Sequence, residues 1–147
     1  MGVIDVLGKI WAFPNTAIGL IAGAACLVFG ARPRFQHNAL AFLDCPIGCG
    51  AVTLGNIILT TEPALDLLVP TYLARHKRPP EGRFSDCDFV HLGRHEEAHT
   101  YQYQVLGPAF LLVYWIAGIG RTVSALEHAA DQYALTGAGW WPWGRLG

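Results

Sequence analysis

The sequence predicts an α+β fold, with a hydrophobic N-terminal helix followed by a small domain of two polar-faced helices and a β-hairpin. Three observations carry this prediction. No charged residue interrupts the run from Ile10 to Ala31. Residues 51–60 are rich in β-branched side chains, which suit a pleated, half-buried surface. Two later segments, about 85–106 and 124–135, set their polar and charged residues at helical spacing.

The elements follow in chain order. The uncharged run Ile10–Ala31 is long enough to cross a bilayer, which takes about 20 apolar residues. Pro14, Asn15 and Gly19 interrupt it, so it reads as a membrane-inserted or re-entrant helix. Trp11 and Phe13 suit an interface, and Arg32 and Arg34 suit a cytoplasmic flank. Residues 1–34 therefore form a membrane-associated segment, and 35–147 form a second unit. Within that unit, residues 38–43 and 51–60 are expected as the two strands of a hairpin. Cys45-Pro46-Ile47-Gly48-Cys49-Gly50 supplies the turn between them. Pro63, Pro70, Pro79 and Pro80 predict an irregular connection, and its basic run Arg75-His76-Lys77-Arg78 reads as a solvated loop.

A helix is expected from near Ser85, with Ser85 and Asp88 as a capping pair, to about Leu106, where Gly107-Pro108 stops it. A second uncharged stretch, Val105–Gly120, follows. The last helix runs from about Ser124 to Leu135, and Trp140-Trp141-Pro142-Trp143 reads as an interfacial aromatic anchor.

Composition narrows the partners. Hydrophobic residues make up 52% of the 147 and charged residues 14%, against about 25% charged in an ordinary soluble domain. Membrane lipid is thus an expected partner. Ten basic and eleven acidic residues leave the chain near neutrality, so no basic face is available for nucleic acid. Of four cysteines, Cys45 and Cys49 are either bridged or plain packing residues, and nothing else points to a disulfide scaffold.

The chemistry-bearing motif is His95-Glu96-Glu97-Ala98-His99, an H-E-x-x-H. Residues four apart share a helix face, so both imidazoles can reach one metal ion. Glu96 then sits where a carboxylate can take a proton from a metal-activated water. A catalytic zinc site ordinarily takes three protein ligands. Glu127 is the candidate third. It opens Glu127-His128-Ala129-Ala130-Asp131, in which Asp131 lies one turn on, on the same face. Asp131 can accept a hydrogen bond from a ligand histidine. His128 points about 100° away and is the weaker ligand. His91, His95, His99 and Gln102 fall along one face of the expected helix. His37, His76 and Glu97 are expected to be solvated.

On these residues the chain resembles the zincin metallopeptidases of the gluzincin, thermolysin-like type, in which a glutamate on a second helix completes the site. The matching positions are His95, His99 and Glu127 as metal ligands, Glu96 as general base and Asp131 as support. The chain also resembles small, poorly characterised bacterial membrane proteins. There the shared stretches are Pro14 to Leu20, Thr53 to Asn56, Tyr101-Gln102 and Leu106-Gly107-Pro108. The resemblance implies a zincin-like core with an active-site helix and a glutamate helix, a Zn²⁺ cofactor and a peptide or protein substrate. It implies a place in the bacterial inner membrane with the site near the membrane surface. Glu96 would pass the proton of the attacking water to the leaving amine. His128, Tyr133, Tyr114 and His91 are the candidates for stabilising the oxyanion, and residues 51–60 could hold the substrate by strand addition. Two other readings stay open: a non-catalytic membrane protein with a structural or sensory zinc site, and a zinc hydrolase acting on a non-peptide amide.

A shared metal also constrains topology. His99 precedes the apolar stretch 105–120 and Glu127 follows it, so that stretch must pack in the domain or turn back rather than cross the bilayer once. The charges of Asp86, Asp88, Arg94, Glu96 and Glu97 around the motif argue for a site at the membrane surface rather than deep within it.

Overall fold

The computed structural model describes residues 3–48, 50–76, 88–119 and 124–143. Ser85, Asp86 and Cys49, and with Cys49 the question of its bridge to Cys45, lie outside the described residues. The fold is mixed α and β, as expected. A four-stranded sheet is packed between helices, and a separate two-stranded ribbon leads into the motif helix.

At the N-terminus two helices stand where one is expected. Helix α1 (Val3–Trp11) and helix α2 (Phe13–Val28) meet at Ala12 with a bend of 69°. Pro14 is tolerated because it falls in the first turn of α2, where its missing N–H costs no helical hydrogen bond. Among the described residues no single helix is long and apolar enough to cross a membrane. The α1–α2 pair taken together has the length and composition to do so.

The sheet comprises β1 (Arg32–Gln36), β2 (Ala39–Leu43), β3 (Ala51–Leu54) and β4 (Ile57–Thr60), in the order β1-β2-β4-β3. The hairpin expected between 38–43 and 51–60 is not formed. Segment 51–60 folds on itself instead. Gly55 has φ 65° and turns β3 back onto β4, pairing Leu54 with Ile57, a conformation glycine adopts without penalty. Segment 39–43 pairs antiparallel with β1 across a two-residue turn, in which His37 and Asn38 both have positive φ. That is the turn whose twist matches paired strands. β2 and β4 then lie parallel. Strand β1 was hidden behind Arg32, Pro33 and Arg34. It is an edge strand, where proline is tolerated, and most of it is exposed.

Alternating side chains of the sheet feed two cores. Phe42, Ile57 and Leu59 pack with Cys26 of α2, while Ala41, Ile58 and Leu43 pack with Leu65 and Leu92 on the other side. Helix α2 meets the sheet through Gly19 and Gly23. A Cβ at Gly23 would strike the Phe42 ring, so the helix approaches as closely as it does because the side chain is missing.

The ribbon pairs β5 (Leu68–Pro70) with β6 (Phe89–His91), and α3 (Tyr72–His76) lies between them in sequence. The motif helix α4 (Leu92–Leu106) therefore starts later than the expected Ser85. Residues 89–91 are drawn into β-pairing with β5, and His91 becomes the extended residue capping the helix. Helix α4 ends at Gly107, whose φ is 55°. A short 3₁₀ turn, Gly107–Ala109, leads to α5 (Phe110–Gly118). Helix α6 (Ala125–Thr136) begins at Ser124, whose hydroxyl accepts from Leu126 N.

The sequence blocks singled out around Pro14, Thr53 and Leu106 meet in three dimensions. Asn15 Nδ2 donates to the Gly107 carbonyl at 3.0 Å. Thr16 Oγ1 accepts from both the backbone and the side-chain nitrogen of Asn56, and it donates to Ala12 O. These bonds tie α2 to the β3–β4 turn and to the end of the motif helix.

Candidate metal centre

Helix α4 carries His95, Glu96 and His99 inward, and α6 carries Glu127 and Asp131 against them. The two helices pack closely along their length. Small residues allow this approach, because Ala98, Ala129, Ala130 and Ala134 are all buried.

Ligand-capable atoms of three residues converge. His95 Nε2 lies 3.1 Å from Glu127 Oε2 and 3.2 Å from His99 Nε2, and His99 Nε2 lies 3.5 Å from Glu127 Oε1. Nitrogen and oxygen ligands spread tetrahedrally at about 2.0–2.2 Å from one ion would stand about 3.3–3.6 Å from each other. A buried group of this kind could hold a metal ion.

The other nitrogen of each ring faces an acceptor oxygen. His95 Nδ1 donates to Asp131 Oδ1 at 2.9 Å, and the other Asp131 oxygen accepts from Tyr72 N at 2.7 Å. His99 Nδ1 donates to Gln102 Oε1 at 2.8 Å. The amide nitrogen of Gln102 donates in turn to Leu126 O and Trp140 O, which sets the orientation of the amide. Both Nδ1 atoms are thereby committed, and both Nε2 lone pairs face the same point. Two lone pairs facing each other at 3.2 Å require a positive charge between them, either a proton or a metal ion.

The electrostatics agree with that requirement. Burial by itself would lower the pKa of His95. The hydrogen bonds to Asp131 and Glu127, with the charge of Glu96, overcome burial and push it up to about 10. Burial would likewise lower His99, but the Glu127 carboxylate raises it. Burial would raise Glu127, yet the adjoining His99 and His95 hold its carboxyl far below the ordinary range. The carboxylates around the imidazoles thus favour positive charge at the point that both Nε2 atoms face, whether a proton or a metal ion supplies it. Tyr114 Oη donates to Glu127 Oε1 at 2.6 Å, and burial, followed by the Glu127 charge, keeps that hydroxyl protonated.

Glu96 is buried beside this cluster. Thr53 Oγ1, on β3, donates to Glu96 Oε2 at 2.7 Å. The cluster opens into a cavity of about 460 Å³, walled by Ala51, Val52 and Thr53 of β3, by Val69, Val90 and Phe110, and by Tyr114. Strand β3 is the edge of its sheet, so one side of its backbone is not paired within the sheet.

The structure thus brings together His95, Glu96, His99, Glu127, Asp131 and Tyr114. It does not bring in His91, which is exposed, with its Nδ1 near Asp66 O. His128 is exposed and lines a different surface hollow with Gln132 and Trp141. Tyr133 stacks edge-on to Tyr101, with Arg94 over its ring, and does not wall the cavity. His37 and Glu97, expected to be solvated, are half-buried and face each other at 3.5 Å. Thr53 and the holding role of Gln102 gave no advance signal, because their partners are set by packing between distant segments. Trp140, expected as a membrane anchor, lies against Tyr101 and offers its carbonyl to Gln102.

Comparison with protein-family models, with curated proteins and with solved structures finds no match to this chain.

Proposed function

We propose that this chain is a membrane-associated, zinc-dependent peptidase with a zincin-like core of the gluzincin type. The observation that carries the proposal is the convergence of His95, His99 and Glu127 beside the buried carboxylate of Glu96, in one cavity bordered by an edge strand. Two neutral imidazoles and one carboxylate are a donor set suited to zinc, and they leave room for a water and a substrate on the cavity side. When bound, zinc supplies an acidified water and polarises the scissile carbonyl.

The chain's own residues do the rest. Glu96 takes the proton of the attacking water and returns it to the leaving amine nitrogen. Thr53 holds one oxygen of that carboxylate, leaving the other to carry the proton. Asp131 and Gln102 keep both imidazoles in the tautomer that presents Nε2. The free edge of β3 gives an extended peptide a strand to pair with. Of the candidates His128, Tyr133, Tyr114 and His91, Tyr114 is the one that lines the cavity, and it would serve a developing oxyanion by turning its hydroxyl proton from Glu127.

Membrane association is supported by the inverted polarity of α2. Its buried positions are Asn15, Gly19, Gly23 and Cys26, while Phe13, Ile18, Ile21 and Val28 point outward, Ile21 at 73% and Val28 at 84% exposure. A helix that turns small residues to its neighbours and large apolar ones outward matches lipid surroundings.

The test is zinc stoichiometry and peptide hydrolysis with purified protein, wild type against Glu96→Gln. The variant should keep zinc and lose hydrolysis by about 10²- to 10⁴-fold, the usual contribution of a general base. Zinc-loaded wild type without Glu96-dependent cleavage would leave a structural or sensory metal site. Hydrolysis confined to non-peptide amides would leave an amidohydrolase.

A further inference from the structure

We propose that the substrates of this site are polypeptides with a membrane-resident apolar segment, cut where that segment meets its polar flank. This rests on the peptidase reading above and names its substrate class. The cavity carries the argument, because its ends differ in chemistry. Among its wall residues Gly50, Arg75 and Leu111 are exposed and mark its openings.

The ends can be placed relative to the metal ligands. Asp131 touches both His95 and the backbone of Tyr72, so α3 with Arg75 lies at the Asp131 end. Glu127, one turn or about 6 Å away along α6, accepts from Tyr114 of α5. Helix α5 with Leu111 therefore adjoins Glu127, as α3 with Arg75 adjoins Asp131, and both openings lead to the same cluster.

At the Arg75 end the opening is polar. The Arg75 Nε donates to Pro70 O, and the side chain is exposed. At the α5 end it is apolar. Leu111 is both a wall of the cavity and 47% exposed, and it continues outward into Leu112, Trp115 (67% exposed) and Ile116. No charged residue lies on α5.

This apolar exterior does not stop at α5. The Trp11 ring presses on Gly107, just ahead of α5, and Asn15 bonds to the carbonyl of the same glycine. The exposed Leu7, Ile10, Trp11 and Phe13 of the α1–α2 elbow therefore adjoin the start of α5. Exposed apolar side chains of the α1–α2 elbow and of α5 thus lie on either side of Gly107, and Leu111 of α5 is at the lip of the cavity. The occupant of these apolar faces is lipid, because α2 shows the small-in, large-out polarity of a lipid-facing helix along its full length. A chain entering from that side brings an apolar segment over α5 and leaves its polar flank toward Arg75.

The experiment uses the full zinc-loaded chain in phosphatidylcholine–phosphatidylglycerol vesicles and two fluorogenic peptides. They share one polar cleavage sequence, and one of them continues into about 20 apolar residues that anchor it in the bilayer. The anchored peptide should be cut at least about tenfold faster, since enzyme and substrate share a surface. Its cut should fall within a few residues of the apolar segment. Trp115→Glu, which charges the exterior of α5, should narrow the ratio toward one. The ratio of the two rates is insensitive to how much of the variant folds. Equal rates for both peptides in wild type would overturn the inference and leave the peptidase reading standing. Equal rates together with a dimer in detergent would assign the α5 face to a second copy of the chain. Absence of Glu96-dependent cleavage of either peptide would overturn the peptidase reading, and this inference with it.

Discussion

Helices α2 and α4 are both inverted relative to an ordinary surface helix, and they resolve the inversion differently. Helix α4 buries Glu96, His99, Thr100 and Gln102. Each of these finds a partner inside the protein: Thr53, Gln102, Glu97 O and the carbonyls of Leu126 and Trp140 respectively. Burying such groups without partners would cost about 1–3 kcal/mol apiece. Helix α2 instead exposes its large apolar side chains, and none of the described residues covers them. The polar interior of α4 is thus closed by the fold except at the Tyr103 hydroxyl and the Gln104 amide nitrogen, which are buried without a partner among the described residues, while the apolar exterior of α2 is left uncovered by them. A polar residue facing inward marks chemistry when its hydrogen bonds close. An apolar residue facing outward marks contact when its neighbours on the same face are apolar too.

Substitutions can break or sharpen that contrast, and the largest effects belong to α4 and its partner α6. Glu127→Ala removes the proposed third ligand, the carboxylate that faces both imidazoles. Zinc affinity, measured by competition with a chelator, should fall by more than the loss caused by Asp131→Asn. That second change only frees a ring and should cost about 10- to 100-fold. If Glu127→Ala leaves affinity unchanged, the third ligand is another residue.

On α2 the expected asymmetry is between faces. Gly23→Leu drives a side chain into Phe42 and should cost about 1–3 kcal/mol by overpacking, read from denaturant unfolding in detergent. Ile21→Ala, on the outward face, should change that stability by less than about 0.5 kcal/mol while weakening vesicle binding. Equal destabilisation by both would show that the outward face is packed against protein.

Thr53→Val tests the link between sheet and helix. It keeps the shape and removes the hydroxyl that holds Glu96, so turnover should fall about tenfold, the worth of one hydrogen bond to a charged group. The pH–rate profile should move with it, and Thr53→Ser should restore both. Zinc affinity should be unchanged in either variant.

The smallest effect belongs to His37 and Glu97. The hydrogen bond with Glu97 raises the His37 pKa above 6.5, and the bond from His37 holds Glu97 below 4.5. The histidine's contribution to stability is complete below 6.5 and fades as pH rises through its raised value. The glutamate's is complete above 4.5 and fades as pH falls. The pair therefore contributes most between about pH 4.5 and 6.5. His37→Ala should cost about 0.5–1 kcal/mol in that window, as for a half-buried pair, and progressively less above it. A loss independent of pH would mean that the ring acts by packing alone.

Some of the site could be read from the sequence because the relevant geometry is local. His95 and His99, and Glu127 and Asp131, each stand four residues apart. Once their segments are helical, the helix itself puts them on common faces. The start of α6 was similarly legible in Ser124, and its end at Thr136 falls one residue past the expected Leu135. Strand β1 was not, because Arg32-Pro33-Arg34 lacks alternation and its pairing with β2 supplies the order that propensity does not. The start of α4 was misplaced for the same reason, since β5 claims residues 89–91. Thr53 and Glu96 are 43 residues apart, and no periodicity in either segment signals the other.

By itself the sequence determined which residues could bind a metal, that two helices had to present them, and that the chain is rich in apolar and poor in charged residues. Spacing along a helix and side-chain chemistry carry that much without reference to any other segment. Only the tertiary structure decided that the two helices close on one another. It also decided that Gln102 and Asp131 orient the imidazoles, that Thr53 reaches Glu96, and that α2 turns its glycines inward. Each of these depends on the register between segments far apart in the chain. That register is set by which surfaces can approach, and here small residues such as Gly23 and Ala98 decide it by letting backbones come close.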